Sequence, residues 1–272
     1  MSFNLALILT LLTAFTGLVV AINKFVWSRA DRWKTAPAAR QTLVDYSQSF
    51  FPVLLFVLII RSFVFEPFRI PSGSMEPTLI EGDFIFVTKY SYGLRLPITE
   101  TRIFETGSPE RGDVVVFRLP ADPSINYIKR VVGLPGDRIE YDGHRLRING
   151  QLIQVDPPIP PDILPAGADG WDEVPDTIHR EQLFGREHDI MVDNPRGRAD
   201  PAALMPGGYW SYMVPEGHYF MMGDNRDNST DSRFRSVGMI PETHLVGEAR
   251  RIWMHIDWPS WPDWSRIGTK IE

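Results

Sequence analysis

The chain has 272 residues and no cysteine, with 28 Lys and Arg against 34 Asp and Glu for a net charge of −6. Lack of cysteine excludes disulfide staples, a thiol nucleophile and thiolate metal sites together. Residues 1–65 hold six basic and two acidic side chains, so residues 66–272 hold 22 and 32, a net −10 that argues against a nucleic-acid partner.

Phe3 to Ile22 is a run of twenty residues without a charge, about the length that crosses a hydrocarbon core roughly 30 Å thick. A second apolar segment runs from about Tyr46 to Phe65, with Pro52 in its first turns and Arg61 near its end. A spanning helix tolerates the proline, and the arginine can snorkel to the headgroups. Between them, residues 23–45 carry Lys24, Arg29, Arg32, Lys34 and Arg40 against Asp31 and Asp45. Short basic loops stay on the cytoplasmic side. The chain is therefore expected to start outside, loop through the cytoplasm and export everything after Phe65. A cleavable secretory signal ending at Ala36-Pro37-Ala38 fits less well, because the n-region has no positive charge and the apolar run is long.

Residues 66–272 read as one mainly β domain. Short apolar runs bounded by Gly, Pro and Asp predict strands at Phe84–Val87, Val114–Phe117, Tyr127–Val132 and Tyr219–Met222. Arg138–Tyr141, Asp142-Gly143, Arg145–Ile148 and Asn149-Gly150 alternate strand and turn. Six prolines between Asp156 and Pro175 then predict extended, irregular chain. Residues of about 140–215 are read as an inserted subdomain, with the chemistry on either side.

Ser74 lies nine residues beyond the second apolar segment, within Pro71-Ser72-Gly73-Ser74-Met75-Glu76-Pro77-Thr78. It can be a simple turn serine. It fits neither an S-x-x-K pattern nor a G-x-S-x-G elbow. Lys129 is more unusual, since on a strand it shares a face with Tyr127 and Val131 while Arg130 shares the other with Ile128 and Val132. One face must therefore hold a cation among apolar neighbours. A lysine so desolvated can lose about three pKa units and become a base for a serine hydroxyl. The run Gly223–Arg233 is dense in turn formers, and Asp224, Asp227 and Asp231 offer oxygens, but the EF-hand spacing fails. The six histidines form no short-range ligand pair, and none lies in these stretches. No metal or other cofactor is expected.

Together, Pro71–Thr78, Arg111–Phe117, Tyr127–Asp137 and Gly223–Arg233 resemble the bacterial type I signal peptidases, membrane-bound serine proteases that remove signal peptides from exported preproteins. The two-span anchor is similar to the Gram-negative form. The resemblance implies Ser74 as nucleophile and Lys129 as general base. It implies an oxyanion hole made of the Ser74 N–H and the Ser72 hydroxyl. Ser229 and Tyr127 would orient and enclose the base, while Arg130, Asp231 and Arg233 would support the site. Phe68, Ile70, Ile85, Val116 and Ile128 would wall the pockets for small residues one and three before the scissile bond; the role of Asn126 is left open. The implied partners are exported preproteins bearing signal peptides and the lipid bilayer. The implied place is the inner membrane, with the catalytic domain on the periplasmic side. Two other classes remain. A silent membrane-anchored β-domain would be suggested by loss of the Ser74–Lys129 pair, and a self-cleaving repressor needs a DNA-binding helix pair where this chain has apolar spans.

Overall fold

A computed structural model describes residues 5–27, 37–95, 101–141, 145–157, 177–192, 210–256 and 261–272. Residues 28–36 of the basic loop, the Asp142-Gly143 turn, most of the proline run and Trp258 lie outside these residues. The chain divides into two compact units, Met1–Glu66 with Gly93–Glu105 and Pro67–Tyr92 with Thr106–Glu272. The first boundary falls between Glu66 and Pro67. The return of residues 93–105 to the anchor's unit was not foreseen.

In the first unit, α1 (Leu5–Ile22) continues as a wider π turn to Trp27, and α2 (Ala38–Ile59) continues likewise to Val64. Both are long and apolar enough to cross a membrane. Helix α2 runs through Pro52, and Arg61 at its end pairs with Glu66 at 3.3 Å. The helices approach closely at Gly17, where an added Cβ would lie 2.7 Å from the Phe51 ring. Small residues at such crossings let backbones come near in an apolar medium.

The second unit is built on a seven-stranded sheet. In chain order its strands are β1 (Phe65–Arg69), which begins in the anchor's unit, β2 (Asp83–Thr88), β5 (Val114–Leu119), β6 (Asp122–Gly133), β14 (His218–Met222), β15 (Ile240–Pro241) and β16 (Leu245–His255). Their spatial order is β1-β2-β16-β5-β6-β14-β15. The pair β3 (Leu94–Arg95) and β4 (Arg102–Phe104) makes a small separate hairpin in the anchor's unit. Alternating side chains of the large sheet feed two apolar clusters, one around Met75, Leu79, Ile85 and Val116, the other around Val115, Phe117, Val131 and Met221.

Strands β7 (Arg138–Tyr141), β8 (Leu146–Ile148) and β9 (Gln151–Leu152) form a four-stranded sheet with β13 (Trp210–Met213). Strands β10 (Gln154–Asp156), β11 (Thr177–Leu183) and β12 (Arg186–Val192) form a second, three-stranded one. The β11–β12 hairpin turns at Phe184-Gly185, both with positive φ, which glycine adopts freely and phenylalanine rarely does. Ile139, Ile148, Leu183, Trp210 and Phe220 share one core, so the insertion packs onto β14 by ordinary apolar burial.

Candidate active site

The turn that carries Ser74 is held by the residues that follow it. Met75 and Leu79 are fully buried plugs in the core. The Glu76 N–H donates to the Gly73 carbonyl at 3.1 Å and the Leu79 N–H to the Met75 carbonyl at 2.9 Å. The buried Met75 directly after Ser74, and the turn closed around both by Gly73 and Glu76, leave little freedom for the Ser74 backbone.

Lys129 comes from the middle of β6, opposite Val115 on β5. Only 3% of it is exposed. Its Nζ lies 2.6 Å from Ser74 Oγ and donates to the Ile128 carbonyl at 2.9 Å. The Tyr127 ring lies beside it, with its centroid 5.5 Å from the amine. Burial pulls the Lys129 pKa down to about 8; the carboxylates of Asp231 and Asp224 oppose this, and the Arg233 guanidinium reinforces it. The expected direction and size of the shift are therefore present, with desolvation as the leading cause.

The other face of β6 is buried as well. Arg130, 1% exposed, points away from the amine and forms a two-pronged pair with Asp224 at 2.8 and 2.6 Å. It also donates to the Gly112 carbonyl at 2.7 Å. Thus both faces carry a cation, where the alternation required only one. Asp224 accepts from Thr78 Oγ at 2.6 Å, and the Arg130 guanidinium holds its carboxyl below the usual range against the opposing effect of burial. Sequence reading offered Asp224 only as a metal ligand, and the described residues contain no cluster able to hold a metal. Asp231 and Arg233 form the expected ion pair, at 2.9 and 2.8 Å.

Ser229 differs from its expected role. Among the described residues its buried hydroxyl has no hydrogen-bond partner, and the Ile128 carbonyl accepts from the amine instead. The space around it is small. A Cβ on Gly223 would stand 2.2 Å from Ser229 Oγ and 2.5 Å from the Ser74 carbonyl oxygen, so only glycine fits there.

A cleft of about 580 Å³ opens over Ser74 and Lys129, lined also by Ser72, Ile125, Asn126, Tyr127, Ile128 and Asn225. The five expected pocket residues belong to one apolar cluster. Ile128 lines the cleft itself, while Ile70, Ile85 and Val116 are 2% exposed or less and form its backing. The sequence reading missed two further residues, Glu181 and His188, on the β11–β12 hairpin. Glu181 grips Arg226 through two bonds of 2.7 and 2.6 Å, and His188 Nε2 lies 3.1 Å from Glu181. Their signal was hidden because the inward positions of β11 alternate His179, Glu181 and Leu183, which do not look like a buried stripe.

A serine hydroxyl against a desolvated lysine, in an apolar-backed cleft, is the arrangement by which a serine hydrolase can work without a histidine. Residues 43–254 match the family model "Signal peptidase, peptidase S26". The signal peptidase I of Pseudomonas fluorescens is 43% identical over 98% of this chain and 99% of its own. That of Pseudomonas aeruginosa strain PAO1 is 45% identical over 83% and 78%. A solved signal peptidase I from Enterococcus faecalis V583 is 25% identical, covers 52% of this chain and 96% of its own, and gives a TM-score of 0.28. The chain belongs to the peptidase S26 family, as a bacterial type I signal peptidase, a serine endopeptidase that cleaves signal peptides.

Proposed function

We propose that Ser74 and Lys129 carry out this cleavage, on preproteins presented at the periplasmic side of the inner membrane. The observation that carries the reading is the 2.6 Å contact between Ser74 Oγ and a lysine amine whose pKa is pulled down to about 8. The neutral amine takes the Ser74 proton as Oγ bonds to the scissile carbonyl carbon, and the carbonyl electron pair moves onto oxygen. The Ser74 N–H and the Ser72 hydroxyl stabilise that oxyanion. Collapse breaks the C–N bond, and the ammonium returns its proton to the leaving nitrogen. A water then gives its proton to Lys129 and attacks the ester carbon; collapse breaks the acyl–Oγ bond, and the ammonium returns the proton to Ser74 Oγ.

The Ile128 carbonyl keeps the amine on Ser74, and Tyr127 shields it from solvent. Arg130, Asp231 and Arg233 act behind the site. Phe68, Ile70, Ile85, Val116 and Ile128 give the cleft a wall that admits small side chains and rejects bulk. Lipid is the second partner, through the two apolar helices, with the basic loop of residues 23–45 facing the cytoplasm.

The test is preprotein cleavage by detergent-solubilised enzyme, wild type beside Ser74→Ala and Lys129→Ala. Each variant should stay folded and cleave at under about a hundredth of the wild-type rate, because such a pair acts as one unit. Faster cleavage by either would sink the assignment.

A further inference from the structure

Asn225 is 4% exposed and lies at the start of the loop that follows β14, with no role in the chemistry above. Its side-chain Nδ2 donates to the Gly73 carbonyl at 3.1 Å, and its backbone N–H reaches the Ser74 carbonyl at 3.3 Å. Gly73 O can only accept, so the nitrogen end of the amide must face it. One residue thus grips two successive peptide groups of the nucleophile turn.

The first of those groups matters most. The Gly73 carbonyl and the Ser74 N–H belong to the same peptide. It is trans, since the described cis bonds are Glu76–Pro77 and Asp156–Pro157 alone. In a planar trans peptide the C=O and N–H point in opposite directions. The Glu76 N–H closes the turn on Gly73 O and the Asn225 amide is its second donor; the two together fix the direction of the Ser74 N–H. That N–H donates to no group among the described residues.

Asn225 is itself rigidly mounted. On one side the Asp224 carbonyl accepts from the Met191 N–H at 2.9 Å, and on the other the Arg226 N–H donates to the Met191 carbonyl at 2.8 Å. Asp224 is locked by Arg130, and Arg226 by Glu181 on the inserted hairpin. The grip on Gly73 is thereby referred to the body of the fold rather than to a loose loop.

We infer that Asn225 is a positioning residue for the oxyanion site: through Gly73 O it aims the Ser74 N–H at the oxygen that becomes negative in the transition state. The inference rests on the reading of Ser74 as nucleophile. A misaimed donor is worth much less than an aligned one, and loss of one such donor costs on the order of 100-fold in kcat. Asn225 lines the cleft, but it is almost wholly buried and its Nδ2 is engaged by Gly73 O, so KM should hold.

The experiment compares Asn225→Ala and Asn225→Asp with wild type in the full-length, detergent-solubilised enzyme. Asp keeps the shape but loses the donor; Ala loses the donor without adding a charge. Expected for both is a kcat lower by about 30- to 100-fold and KM within about twofold; the acid limb should stay in place in Asn225→Ala, where no charge changes, and move only to higher pH in Asn225→Asp, whose new carboxylate lines the same cleft as Lys129. Affinity for a peptide aldehyde, which forms an oxyanion on the serine, should fall in step with kcat/KM. Affinity for an uncleavable peptide of the same sequence should not. The ratio of these two affinities is independent of the folded fraction, so it is readable even if a variant is partly unfolded. Equal weakening of both ligands, or a kcat within about threefold of wild type in both variants, overturns the inference. Failure of the underlying reading would show elsewhere, as activity retained by Ser74→Ala.

Discussion

Keeping Lys129 poised as a base should cost folding stability, and Lys129→Met measures how much. Its pKa falls from 10.5 to about 8 on folding. A shift of this size corresponds to about 3 kcal/mol of differential stability, at about 1.4 kcal/mol per unit. The folded pKa lies below the unfolded one, so between about pH 8 and 10.5 the unfolded chain binds more protons and this contribution makes stability rise with pH. Below pH 8 both states are protonated and the cost is present in full. The cost is therefore about 3 kcal/mol at pH 7 and under about 1 kcal/mol at pH 10. Methionine has no charge to desolvate, but it forfeits the bonds to Ser74 and the Ile128 carbonyl, a loss of about 1–3 kcal/mol that does not depend on pH. The stability difference between variant and wild type, read from denaturant titrations in detergent at the two pH values, should shift by about 2–3 kcal/mol in favour of wild type on going to pH 10. Other titrating groups are common to both proteins and cancel. A difference that stays flat between pH 7 and 10 would refute the reasoning, as would an acid limb of kcat/KM near pH 10 instead of near pH 8.

Gly223→Ala should lower activity by more than about tenfold and lower the melting temperature, because the new methyl must displace the Ser229 hydroxyl or the Ser74 carbonyl; wild-type kinetics in that variant would mean the loop yields freely. Asp231→Asn removes a carboxylate that raises the Lys129 pKa and leaves the Arg233 cation less neutralised. Both changes act in one direction, so the acid limb should move to lower pH, and a move to higher pH would contradict the electrostatic account. Trp261 and Trp264 are 90% and 71% exposed, which suits an interfacial belt. Changing Trp258, Trp261 and Trp264 to serine should weaken vesicle binding by a protein lacking the two helices, and equal partitioning would remove that idea.

Much of the site was legible because its residues break local rules. Lys129 stands out as a cation in an apolar strand, and the Gly-Asp pairs before Phe84 and Val114 mark where strands begin. What escaped notice depends on contacts between distant parts of the chain. Arg130 meets Asp224 across 94 positions, and Glu181 meets Arg226 across 45. Nothing local to either partner announces such a pair. In the insertion, strands β11 and β12 went unread because they bury His179, Glu181 and His188 among apolar side chains, so hydrophobic periodicity is weak there.

The chain passes between the two compact units three times, at 66–67, 92–93 and 105–106. A fragment cut at the first crossing to obtain a soluble enzyme still carries residues 93–105, now deprived of the helices with which they cluster. That stretch presents Ile103 and Phe104, 45% and 64% exposed. Such a fragment should need detergent or self-associate despite having lost its anchor, and excising the hairpin along with the helices is the more rational truncation.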